Sequence, residues 1–276
     1  MKYMNLGQLY AMEPPSAQSM RAETNKSLQC YTKGVELLRH KLSQQQQQQA
    51  QIDKLKQELA MAYCTIAELF MTDLCDVPDA EHRCHEALQC ADEVAPNDPH
   101  VLQDWASFLI TTHKNELAMV KLEQVVSQIM SCDPSLVMQS FPYDFQIATC
   151  RMLIELEKHD VAKQLLTNML HHFDQCADVW YMLGHVILAT SKNEDMYKKH
   201  LLKAMTLAKG DMFEVEIREE LQEKFGKDVL TGVNLHRIDE ELDAAYDEVE
   251  DGGGGAGGGG DEEDWEDVDT DSDEEM

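Results

Sequence analysis

The side chains of this chain that could do chemistry are mostly carboxylates. Glu68, Asp73, Asp104, Asp144, Glu155 and Asp178 fall in segments with helical apolar spacing, Asp76 follows Asp73, and Tyr181 and His185 are flat rings one helical turn apart. Carboxylates gathered on one face attract and neutralise a cationic segment, and that requires no bond to break. Covalent chemistry would need a nucleophile spaced with a base, a glycine-rich phosphate loop or a set of metal ligands, and the sequence displays none. The run Gly252–Gly260, broken by Ala256, lacks the Lys-Ser/Thr end and the following helix of a phosphate loop. His82, Cys84 and His85 offer a histidine pair without convergent third and fourth ligands, so a solvated helix face is expected there. His171 and His172 are adjacent and point apart. The expectation is a binding protein that is not an enzyme, with no cofactor and no metal.

Those acids need elements to hold them. Trp180, Leu183, Gly184 and Ile187 share one helical face, and a glycine inside a helix costs about 1 kcal/mol relative to alanine, which marks a place where a second helix comes close. Tyr3, Leu6, Gly7 and Tyr10 repeat the spacing, as do Tyr63, Ile66, Ala67 and Phe70, and Leu102, Trp105, Ala106 and Leu109; a weaker copy surrounds Gln146, Cys150 and Leu153. Each copy is followed by a small, a large and a small or apolar residue at helical spacing: Ser27, Tyr31 and Gly34; Cys84, Leu88 and Ala91; Ala118, Leu122 and Val125; Ala162, Leu166 and Met169; Tyr197, Leu201 and Ala204. This is the tetratricopeptide pattern, and it predicts an all-α, helical-repeat solenoid of about five helix pairs.

The expected pairs are a helix over 1–12 with Leu28–Leu42, Leu55–Leu74 with Asp79–Val94, Pro99–Ile110 with Glu116–Cys132, Pro142–Leu156 with Asp160–Phe173, and Ala177–Thr190 with Glu194–Ala208. Residues 13–26 read as a lengthened turn and Gln44–Gln49 as a spacer, so residues 1–50 form a first repeat with inserts and 51–208 the remaining repeats. Asp79 is the expected N-cap of its helix. Within 209–227, Phe213, Ile217, Leu221 and Phe225 recur every four residues, the mark of a one-faced capping helix. Residues 228–276 read as an acidic, glycine-rich disordered tail. No Lys or Arg follows Arg237, and 239–276 hold 19 of the 52 acidic residues, so the tail carries most of the net charge of −29. Trp265 there could stack on an arginine, and Thr270 and Ser272 sit among acids as sites of acid-directed kinases do.

Such a charge opposes nucleic acid and anionic membranes as direct ligands and favours a basic partner. The eight cysteines contain no C-x-x-C pair and read as reduced packing residues of an intracellular protein. No apolar run approaches the ~20 residues of a membrane span. Placement in the cytoplasm and nucleus is expected, and with no basic import signal, nuclear entry would depend on a passenger.

Lys2-Tyr-Met-Asn-Leu-Gly-Gln-Leu9, Ser27-Leu-Gln-Cys-Tyr-Thr-Lys-Gly-Val-Glu-Leu-Leu38, Ala67-Glu-Leu-Phe-Met-Thr-Asp-Leu-Cys75 with Pro78-Asp-Ala-Glu81 and Arg83-Cys84, and Trp180-Tyr-Met-Leu-Gly184 resemble the family of dedicated assembly chaperones of large-subunit ribosomal protein four. The resemblance runs from Lys2 to about Ala208 and continues in the acidic tail. It implies binding of the long basic internal loop of the newly made ribosomal protein and escort to nuclear pre-ribosomes, with import factors met through that protein. The chain departs from the family by starting where an earlier repeat usually stands, and by the inserts at 13–26 and 44–49. The acids named above, with Tyr181, are then the expected partner contacts on an acidic concave face. Two other readings use the same repeats. A heat-shock co-chaperone clamp needs Lys and Asn where this chain has Met4 and Gln8, Cys64 and Glu68, and Gln103 and Ser107. A generic tetratricopeptide scaffold remains the other alternative, since fold does not fix function.

Overall fold

A computed structural model describes residues 20–43 and 49–251, in which all regular structure is helical. The helices are α1 (Met20–Ser43), α2 (Gln49–Met71), α3 (Ala80–Val94), α4 (Pro99–Thr111), α5 (Asn115–Ser131), the single turn α6 (Val137–Ser140), α7 (Tyr143–Glu155), α8 (His159–Phe173), α9 (Ala177–Ser191), α10 (Glu194–Leu207), α11 (Met212–Phe225) and α12 (Leu235–Asp251), with a 3-10 turn at Lys227–Leu230. The chain divides into two compact units, one ending at Val233 and one beginning at Asn234. The helix expected over 1–12 lies outside the described residues, as do 13–19, most of the glutamine tract and 252–276.

In the first unit the helices pair as the spacing predicts: α2 with α3, α4 with α5, α7 with α8, and α9 with α10, while α1 packs on α2. Every small position of the described copies is buried, including Ala67, Ala106 and Cys150 on the first helices and Cys84, Ala118, Ala162 and Ala204 on the second. The large residues between them, Leu88, Leu122, Leu166 and Leu201, are fully enclosed. A continuous core therefore runs along the stack, as in repeat proteins where each unit buries its face on its neighbours.

Gly184 explains why the crossings are tight. A Cβ placed there would lie 2.9 Å from His200 Cβ and 3.0 Å from Leu201 Cδ1. His200 is buried beneath this crossing; burial pulls its pKa down to about 4, so it stays neutral, and its Nδ1 lies 2.7 Å from the Met196 carbonyl.

Turns carry a repeated device that glycine does not mark. Each complete pair bends through one non-glycine residue with positive φ: Asp79 (65°), His113 (58°), Glu157 (58°) and Lys192 (56°). At His113 and Glu157 the surrounding bonds are of Schellman type, with Lys114 N–H donating to the Leu109 carbonyl at 2.7 Å and Lys158 N–H to Leu153 at 2.8 Å. Asp98 caps α4, accepting from His100 N–H at 3.0 Å ahead of Pro99, and Asn193 caps α10 through Met196 N–H at 3.0 Å.

Several expectations are corrected. Residues 20–26 belong to α1 instead of a lengthened turn, because nothing after Ser16 breaks a helix. α2 begins at Gln49 and ends at Met71, so Gln49 is helical and Asp73 stands in the turn. Asp79 does not cap α3: its left-handed backbone carries the side chain away, and it makes no cap bond. Beyond residue 228, composition pointed to disorder, yet 235–251 form α12. Its start is capped by Asn234, which accepts from Arg237 N–H at 3.3 Å, and Arg237 pairs with Glu241 at 2.7 Å one turn on. Leu235, Ile238, Leu242 and Tyr246 give this acidic helix an apolar stripe, a periodicity that net charge concealed.

Gly184→Ala should lower stability by about 1 kcal/mol, because the overpacking at His200 outweighs the gain in helix propensity. Urea denaturation of both proteins checks this; a stabilised variant would mean that α10 does not sit against the glycine.

Candidate partner-binding face

The first helices of successive pairs, α2, α4, α7 and α9, stand side by side, and α11 takes the next place in the row. Polar side chains meet from each helix to the next. The Cys64 thiol on α2 lies beside the Asp104 carboxylate on α4. Gln103 on α4 donates its amide to the Phe145 carbonyl at 2.8 Å and to Thr149 Oγ1 at 2.7 Å on α7. Tyr143 on α7 donates to Asp178 Oδ2 on α9 at 3.3 Å, and Arg151 lies 3.7 Å from the same oxygen. Tyr181 on α9 donates to Glu220 Oε2 on α11 at 2.9 Å, Tyr197 on α10 donates to Oε1, and His185 Nε2 lies 3.0 Å from Oε1.

The electrostatics follow from this geometry. Burial, then the neighbouring carboxylate, raises the pKa values of Tyr143, Tyr181 and Tyr197, so all three stay protonated donors. Asp104 is half-buried, and loss of solvation pushes its pKa up to about 6; the Cys64 thiol opposes the rise, while Glu68 and Asp98 add to it.

The expected contact residues separate into groups. Glu68 and Asp104 are brought together around Cys64. Glu155, Asp178 and Tyr181 line one cleft of about 530 Å³, with Arg151 and Ile154 from α7, Met182 and His185 from α9, and Phe213 from α11. Asp73 and Asp76 are exposed on the turn after α2, and Asp144 is exposed in the first turn of α7, where a carboxylate also complements the helix dipole. These three do not share the cleft.

Sequence reasoning missed Arg151, Tyr143 and Glu220. Glu220 was detectable in principle, because it falls between Ile217 and Leu221 on the apolar stripe of α11, and a carboxylate on such a stripe needs a partner. His82 pairs with Glu86 at 3.3 Å, and the His85 ring packs edge-on against Trp105 at 5.2 Å. Among the described residues no group of three or more His, Cys, Asp or Glu is placed to hold a metal ion. All eight cysteines are free thiols; Cys64, Cys84 and Cys150 are buried, and Cys75 is exposed instead of packed. No described helix is long and apolar enough to cross a membrane.

A curated relative from Schizosaccharomyces pombe (strain 972 / ATCC 24843), described as a probable assembly chaperone of rpl4, is 31% identical over 242 residues, covering 80% of this chain and 69% of its own. The chain belongs to this family of rpl4 assembly chaperones. No family model matches it. Among solved structures, the assembly chaperone of RpL4 (Acl4), residues 1–338, superposes with a TM-score of 0.56 over 70% of this chain and 69% of that one, at 24% identity, a likeness of fold.

The raised pKa of Asp104 has a stability consequence. Its folded-state value of about 6 lies above the ordinary carboxylate value of 3.8, so the folded state holds the proton longer and stability is lost as pH rises through that window. Asp104→Asn should therefore be more stable than the parent at pH 8, with an advantage about 1 kcal/mol larger than at pH 5. Urea midpoints at the two pH values test this, and a pH-independent difference would remove the assignment.

Proposed function

We propose that this chain is a dedicated chaperone for newly made large-subunit ribosomal protein four, holding that protein's basic internal loop on the acidic row of first helices. Family membership supports the identity of the client. The single structural observation behind the mechanism is the state of the acids. Glu68, Asp73, Asp144 and Glu155 are exposed, and none is in an ion pair among the described residues. Like charges held on one stack repel one another, and a cationic guest relieves that repulsion without any chemical step. The reading is thus of a binder and not an enzyme, with no cofactor. The guest's basic loop would otherwise seek RNA; covered, it stays soluble, and the pair passes from the cytoplasm to nuclear pre-ribosomes. The acids of 239–276 add to the field that draws a basic chain in. Nucleic acid and membrane are not direct partners in this reading.

The rival clamp for a chaperone's acidic C-terminus has no support at the described positions. Cys64 is buried beside Asp104, and Gln103 is committed to α7, so neither place offers a cation.

A synthetic peptide of the basic loop should bind the purified chain with an affinity that falls steeply from 50 to 500 mM salt, roughly as screening shortens the reach of exposed charges to a few ångströms. Glu68→Lys with Asp73→Lys should weaken binding about tenfold at low salt while leaving far-UV circular dichroism unchanged. Equal affinity at both salt concentrations would defeat the electrostatic mechanism.

A further inference from the structure

The cleft between α7, α9 and α11 differs in kind from the rest of the face. Its lining is mostly apolar, with Ile154, Tyr181, Met182 and Phe213 beside the exposed Glu155 and the half-buried Asp178. The aromatic wall is held in place before any ligand arrives. The Tyr181 hydroxyl is fixed on Glu220, its ring meets Phe213 edge-on at 5.1 Å, and the His185 ring lies 4.5 Å away. At the rim, Asp178 and Arg151 offset each other at 3.7 Å, which leaves Glu155, exposed and unpaired among the described residues, to set the sign. A concave apolar site with preordered rings and a net negative rim suits an apolar side chain whose neighbours are basic.

We propose that this cleft is an anchor subsite: it takes one aromatic or branched aliphatic side chain projecting from an extended cationic segment, whose flanking basic residue meets Glu155. The proposal rests on the chaperone reading and adds to it a source of selectivity. Exposed carboxylates alone accept any cationic chain and release it in salt, whereas an apolar anchor is not screened and requires a particular side chain at a particular register. Charge draws the segment in, and the anchor fixes which stretch of it is held.

The test uses the full chain and the synthetic basic loop peptide, with each apolar residue of the peptide replaced in turn by serine. One replacement should weaken binding about ten- to one-hundred-fold, the range for losing one buried apolar side chain, without changing the salt dependence. Ile154→Gln should cause a similar loss and should make the protein indifferent to that same peptide replacement, while Ile154→Val restores most of the affinity. Glu68→Lys with Asp73→Lys should instead change the salt dependence and keep the response to the serine replacement. If all serine peptides bind alike, or if Ile154→Gln keeps the parent's melting temperature and affinity, the anchor is absent even though the electrostatic reading stands. If Ile154→Gln alters the sedimentation of the protein alone and not its affinity for the peptide, the cleft is occupied by a second copy of the chain and the proposal falls. No binding of any peptide by the parent would remove the chaperone reading and the subsite with it.

Discussion

The close crossing of two helices at a small residue is the contact on which the rest of the first unit depends. At Gly184, His200 and Leu201 fill the space that a methyl group would need. The same arrangement recurs with Ala67, Ala106 and Cys150, each fully enclosed. When paired helices approach this closely, their large residues interlock with the neighbouring pair, and one continuous core forms instead of separate hairpins. The four left-handed turn residues serve the same requirement. A helix must reverse within two to eight residues to return against its partner, and the backbone strain of Asp79, His113, Glu157 and Lys192 is tolerated because the crossings behind them are well packed.

Stacking by itself leaves the relative position of successive first helices loosely determined, because apolar surfaces slide. Polar bonds remove that freedom. Gln103 with Thr149, Tyr143 with Asp178, and Tyr181 with Glu220 each allow one register, since a shift of a single turn would strand a half-buried donor or acceptor. The acids of the face consequently have two roles. Asp178 and Glu220 are used in holding the row, whereas Glu68, Asp73, Asp144 and Glu155 are exposed.

The distribution of charge complements that division. Much of the net charge of −29 lies past Arg237, and the second unit opens with a helix whose polar side is almost entirely acidic. Charge of one sign at this density weakens self-association and attracts cations from a distance, but it has little shape. Shape comes from the stack, where the cleft between α7, α9 and α11 sets aromatic rings against a carboxylate rim. Dense charge and a shaped cleft thus lie in different parts of one chain.

Much of the fold was legible in the amino-acid order, because helical periodicity and small-residue spacing are local. Trp180 to Ile187 with Tyr197 to Ala204 declared a crossing pair, and Phe213, Ile217, Leu221 and Phe225 declared the cap. Net charge was also legible, being a property of composition, and it set the expectation of a basic partner. The turns were less so: a left-handed residue is usually announced by glycine, and here Asp79, His113, Glu157 and Lys192 fill the place. Helix α12 was hidden because acidity masked its apolar stripe. What only the tertiary structure decided is which acids remain free and which rings form a cleft. Asp178 and Glu220 look alike as residues, and their roles follow from Tyr143, Arg151, Tyr181 and His185, which reach them from other helices. Such convergence depends on the angle and register at which helices stack, and those are set by the summed packing of many side chains, which no single stretch of sequence contains.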